Sequence, residues 1–146
     1  GIMLDTSQIV SDIEEITEFY VDFLGLNKLF DQVLPTGMID NILNLPTGTE
    51  SRMAFINQPG SNNAALEFIQ CSVEGKSLAN VDKAPRLGLQ AIAFAVDNLT
   101  ALIERLQAYD IKIVCEPVAI ITHEQKKIRA TMVQAPNGVK TMFFES

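Results

Sequence analysis

The sequence predicts an α+β domain of two tandem βαβββ modules, with module one over about residues 1–70, a connector over 71–86 and module two over 87–146. Three observations carry this prediction. An extended apolar segment, an amphipathic helix and a set of short β-like runs occur in the same order twice. The two openings also align directly: IVSDIEEITEFY (9–20) lies over AVDNLTALIERL (95–106) at a constant offset of 86. Val10 then meets Val96, Ile13 meets Leu99, Ile16 meets Leu102 and Tyr20 meets Leu106, the signature of an internal repeat. Between the halves, residues 71–86 are rich in Ser, Gly, Lys, Asp and Pro and carry no apolar period, as a connector would. A length of 146 residues suits a single domain with a sizeable core.

In module one, Ser11 and Glu14 have the S-x-x-E spacing of a capping box. Ile13, Ile16, Phe19, Tyr20 and Phe23 follow at helical spacing, and Gly25 is placed to end the helix. Phe19 and Tyr20 fall on the buried stripe and read as core. Runs over 26–34, 39–45, 52–58 and 64–70 read as strands, separated by Pro-Thr-Gly, Leu-Pro-Thr-Gly-Thr and Pro-Gly-Ser-Asn-Asn turns. In module two, residues 88–96 read as a strand. Asn98 caps a helix burying Leu99, Leu102, Ile103 and Leu106, and strands follow over 111–118, 126–134 and 140–145. Pro136-Asn137-Gly138 makes the last tight turn.

Eleven basic against eighteen acidic residues give a net charge of −7, which argues against nucleic acid or an anionic membrane as partner. Lys126, Lys127 and Arg129 are too few to reverse that and read as a solvated strand edge. No run approaches the roughly 18 apolar residues of a membrane span, and GIMLDTSQIV does not read as a signal peptide. Cys71 and Cys115 form no metal-type pair and read as reduced thiols, which implies a cytoplasmic protein.

Two stretches carry a family resemblance. VSDIEEITEFYVDFLGL (10–26) resembles the vicinal-oxygen-chelate signature of V-x-D, a helix with Phe-Tyr, then Leu-Gly. LGLQAIAFAVDNLTALIERL and QAPNGVKTMFFE resemble that superfamily's second module and its closing hairpin, and LNLPTGTESRMAFI and AALEFIQ fit the strands between. The resemblance to this glyoxalase/bleomycin-resistance/dioxygenase superfamily covers nearly the whole chain. It implies curved sheets around a cavity. In metal-dependent members, four inward side chains, usually His and Glu, hold a divalent cation that acts as a Lewis acid.

Carried onto this chain, the four metal positions become Asp5, Glu67, Ala91 and Met142. Asp5 lies seven residues before Asp12 of V-x-D, and the repeat offset takes it to Ala91. Met142 lies four residues after Gly138. A shift of one residue in the first strand would instead turn Leu4 or Thr6 inward. Ala offers no ligand and a thioether is a poor one for hard cations, so Asp5 and Glu67 read as remnants of a site that no longer holds its metal. Strand alternation points Glu145 to the opposite face, from which only a bulge would recover it. His123 sits in the ITHEQKK hairpin and reads as a loop histidine.

With Ala91, Ala93 and Ala95 inward and Ile69, Met142 and Phe144 as apolar wall, the resemblance implies a small-molecule cavity beside Glu67. A desolvated Glu67 would have a raised pKa and serve as general base, or it is a vestigial carboxylate satisfied by a neighbour. Arg52, after a Gly-Thr loop, is placed to hold an anionic group at the cavity mouth or to lie as a surface arginine. Two functions follow: a lyase or isomerase of the glyoxalase type, similar to lactoylglutathione lyase and working without the divalent metal, or a ligand-sequestering protein of the bleomycin-resistance type. An extradiol dioxygenase, needing two histidines around iron, fits least. Members of this length are commonly homodimers, and the resemblance implies one here.

Overall fold

The structure is a computed structural model that describes residues 5–61, 65–76, 89–122 and 124–145. The chain divides into two compact units, Gly1–Lys76 and Ser77–Ser146. The division falls inside the stretch expected to connect the modules. Most of that stretch, 77–86, and His123 lie outside the described residues.

The first unit runs β1 (Asp5–Val10), α1 (Ile13–Thr17), β2 (Asn27–Val33), α2 (Asp40–Leu43), β3 (Ser51–Asn57) and β4 (Ala65–Cys71). Its sheet order is β1-β4-β3-β2, with β1 parallel to β4 and the other pairs antiparallel. The second unit runs β5 (Ile92–Val96), α3 (Leu99–Ala108), β6 (Lys112–Ile121), β7 (Lys127–Gln134) and β8 (Lys140–Glu145). Its order β5-β8-β7-β6 repeats the first, again with one parallel pair. The βαβββ repeat expected from the sequence is therefore present in both units.

α1 departs from its expected form at both ends. Its N-cap is Asp12, not Ser11: the Asp12 carboxylate accepts from the backbone N–H of Glu14 at 2.9 Å and of Glu15 at 3.2 Å. A carboxylate there also answers the positive end of the helix. After Thr17 the chain continues as a π-helical segment, Glu18–Phe23, before Gly25 turns the backbone left-handed at φ +78°. The wider turn lets Phe19, Tyr20 and Phe23 all enter the core, and Tyr20 stacks on Phe68 with ring centroids 5.2 Å apart.

The run over 39–45, expected as a strand, is the helical turn α2 inside a loop. Asp40 decides this. Its buried carboxylate accepts from Gly48 N–H at 2.6 Å and Thr49 N–H at 3.3 Å, which folds the segment back on itself. Asn44 closes the turn in the left-handed region at φ 54°, and Ile42 is left 83% exposed, so the apolar letters there do not mark a core strand.

Candidate functional site

In the first unit, β1 and β4 pair with Ser7 opposite Glu67, Asp5 opposite Ala65 and Ile9 opposite Ile69. Gln8, Val10, Leu66 and Phe68 are buried on the α1 side, where Gln70 accepts from the first helical N–H, Ile13, at 2.9 Å. Alternation then turns Asp5, Ser7, Glu67 and Ile69 to the other face. β3 adds Phe55 opposite Glu67 and Met53 opposite Ile69, and Phe30 of β2 meets Phe55 edge-on at 5.9 Å. Glu67 thus sits between a serine and an aromatic ring.

The Ser7 hydroxyl donates to Glu67 Oε2, and its oxygen lies 3.4 Å from Asp5 Oδ1. A serine carries one hydroxyl proton and so serves one carboxylate at a time; the close contact is with Glu67. The structure brings the two sequence-expected carboxylates to one face, as the Asp5 register required, and Thr6 turns away. Sequence reasoning missed Ser7. Its signal was available, because Ser7 is two residues beyond Asp5 and shares its face.

The second unit presents the corresponding surface. Ala93 pairs with Met142 and Ala95 with Phe144, while Met132 and Ala130 of β7 stand opposite Met142 and Phe144. Phe143, Thr141 and Val133 are fully buried on the α3 side. Glu145 points there too: its Oε1 accepts from Leu99 N–H at 3.0 Å, and Arg129 lies 3.5 Å from its Oε2. Alternation had placed Glu145 on this face, and no bulge in β8 recovers it for the other. Ala91 precedes β5 by one residue and belongs to the Ala93 side by the same alternation.

The registers refine the repeat. Val10 pairs with Gln70 and Val96 with Glu145, so first strands correspond at an offset of 86 and last strands at 75. Gln70 and Glu145 play the same part, each holding the first N–H of its module's helix. By those offsets Glu67 corresponds to Met142, and Ser7 to Ala93. The polar Ser–Glu pair of one unit is an Ala–Met pair in the other.

Of the two readings of Arg52, the geometry agrees with the arginine that lies outside the Glu67 face. It pairs with Gln70 across β3 and β4, and so points to the α1 side, away from Glu67. Its guanidinium donates to both Asp31 oxygens at 2.7 and 2.9 Å and to Glu14 Oε1 at 2.6 Å. Those bonds hold the Asp31 carboxyl below its usual range, against the opposing effect of burial, and raise the arginine further above its own. A guanidinium engaged by two carboxylates is not a free anion hook. The same side of the unit bears a recess of about 310 Å³ between Glu14, Thr17, Asp22 and Lys28.

The sequence matches the family model of the Glyoxalase/Bleomycin resistance protein/Dioxygenase superfamily over residues 6–134. The chain belongs to that superfamily. No curated protein matches it as a relative. Among solved structures, a glyoxalase family protein from Bacillus cereus is similar at 16% identity and a TM-score of 0.79, over 99% of this chain and 93% of that one. The trypanothione-dependent glyoxalase I of Leishmania major is similar at 17% identity and a TM-score of 0.66, over 99% and 86%. TnmS3, an antibiotic binding protein from Streptomyces sp. CB03234, is similar at 20% identity and a TM-score of 0.64, over 99% and 95%. These likenesses establish the fold.

The superfamily's divalent metal can be tested against the residues present. The first unit offers Asp5 and Glu67, with the Ser7 hydroxyl between them. The second offers Ala91, without a donor, and the Met142 thioether. Among the described residues no group of three His, Cys, Asp or Glu comes together. Catalytic sites of this kind use three protein ligands with hard or borderline donors, and neither unit's pair of residues at these positions fits one.

Proposed function

We propose that this chain binds a small organic molecule on the Glu67 face, with Glu67 as its polar anchor and proton acceptor, and without the superfamily's divalent metal. The observation that carries the reading is the Ser7–Glu67 hydrogen bond on a face otherwise formed by Ile69, Met53 and Phe55. A carboxylate oriented by a hydroxyl can accept a proton from a bound molecule, which is the work of a general base in a lyase or isomerase. Phe55 offers a flat apolar wall beside it.

A second reading, ligand sequestration without chemistry, is favoured by one observation: Ala93 and Met142 stand where the first unit has Ser7 and Glu67, so those two positions carry no acid–base group in the second unit. The similar Streptomyces structure is an antibiotic binding protein. In either case the protein acts as a cytoplasmic homodimer. No helix among the described residues is long and apolar enough to cross a membrane.

The test combines elemental analysis of the purified protein, turnover of hemithioacetals, and thermal shifts across metabolites and antibiotics. Stoichiometric zinc or nickel with turnover abolished by chelation would overturn the metal-free reading. Where a ligand is found, Glu67→Gln separates the two functions: lost turnover with retained affinity marks catalysis, and a protein that binds without turnover in either form marks sequestration.

A further inference from the structure

The face of the second unit's sheet that looks away from α3 carries a row of three sulfur-bearing side chains. Cys115 of β6 is the register partner of Met132 of β7, and Met132 is the register partner of Met142 of β8. Neighbouring strands lie about 4.8 Å apart, so the row spans roughly 10 Å between its outer backbone positions. Met132 and Met142 share one face by alternation with the buried Thr131, Val133, Thr141 and Phe143. β6 shifts register on both sides of Cys115, the kind of bulge that re-aims a side chain. The Cys115 backbone is pinned from the neighbouring strand, its carbonyl accepting from the Thr131 hydroxyl at 2.6 Å.

We infer that Cys115, Met132 and Met142 form a binding site for a soft monovalent cation, Cu(I) being the physiological class. Thiolate and thioether sulfur select Cu(I) over hard divalent ions. Both methionines are half-buried, and Cys115 is exposed and in no disulfide, its thiol donating to the Glu116 carbonyl at 3.3 Å, a weak bond that binding would replace, so the row is open to an ion. Each methionine thioether swings on three rotatable bonds, which covers the span of the row. Ala93, on the far side of Met142, leaves room for the ion above the sheet. The next rung on this face, Lys112, Gln134 and Lys140, holds ammonium groups and an amide but no carboxylate, so nothing there recruits a hard cation in its place. On binding, the Cys115 thiol releases its proton to solvent and the thiolate joins two neutral thioethers around the ion. Copper remains Cu(I) throughout. Met142 would then hold a soft ligand position where the superfamily's hard-metal pattern has a carboxylate.

The experiment uses the full chain with Cys71→Ser, which removes the other thiol. Anaerobic Cu(I) titration against bicinchoninate is paired with Ag(I) binding followed by native mass spectrometry. One ion per chain is expected. Met132→Leu with Met142→Leu should weaken Cu(I) binding at least about tenfold, and Cys115→Ser should abolish it. Leucine keeps the methionine volume, and an unchanged metal-free melting curve shows that the fold is intact. Binding by the double leucine variant as tight as in its parent would overturn the inference, leaving Cys115 as an isolated thiol. Absence of stoichiometric Ag(I) binding would overturn it equally. Neither outcome depends on whether an organic ligand binds at Glu67.

Discussion

Replacing Arg52 by glutamine removes a guanidinium from between β3, β2 and α1 while leaving the other face of the sheet untouched. The loss is set by three hydrogen bonds, at 2.7, 2.9 and 2.6 Å. They are unequal. Asp31 is 15% exposed, so its two-pronged pair is worth something in the range of charge-assisted bonds, about 1.5–3 kcal/mol. Glu14 is 70% exposed, and its bond contributes only a few tenths of a kcal/mol, about 0.3. Lys28, 3.0 Å from Asp31, remains in the variant and offsets part of the loss. The net destabilisation should be about 2 kcal/mol, or about 4–8 °C in a chain of this size. The sign of its pH dependence follows from the lowered Asp31 pKa. That carboxylate contributes stability above its unfolded value of 3.8 and loses it as pH falls through the lower folded value. Urea unfolding of wild type and Arg52→Gln should therefore differ by a constant amount from about pH 5 to 8, and the two should converge below about pH 4. A difference under about 0.5 kcal/mol at pH 7, or one that persists undiminished at pH 2.5, would refute the argument. Because Arg52 points away from Glu67, ligand affinity measured at matched stability should be unaffected.

Two further outcomes concern the helix starts. Asp12→Ala should cost about 1 kcal/mol by removing the cap of α1, whereas Ser11→Ala should be near neutral; equal losses in thermal melts would return the capping role to Ser11. Glu145→Gln should stay within about 0.5 kcal/mol of wild type, since Gln70 does the same work as an amide at α1. Glu145→Ala should lose about 1–2 kcal/mol by freeing the buried start of α3, and a larger loss in the glutamine variant would show that the Arg129 charge pair matters more than the cap.

Much of the fold was legible because the sheets obey a period of two and the helices one near 3.6. The repeat offset of 86 located both helix openings, and alternation put Glu67 beside Leu66 and Phe68 on opposite faces, as the structure has them. The same alternation turned Glu145 from Met142. The strand expected over 39–45 failed because the sequence shows an apolar run around Asp40 but not that its carboxylate folds the segment back onto Gly48 and Thr49. The choice between the two readings of Arg52 was not legible for a related reason. Its face depends on the β3–β4 register, and its partners Asp31 and Glu14 lie 21 and 38 residues away.

The sequence by itself determined the superfamily and the βαβββ repeat, because each is written in local period or short motif. Only the tertiary structure decided what residues on different strands do to one another. Parallel pairing of β1 with β4 set Ser7, not Asp5, against Glu67, and the β6–β7–β8 register aligned Cys115, Met132 and Met142. In each case the register between paired strands, which the bulges around Cys115 also shift, chooses the neighbour, and spacing along one strand does not fix it.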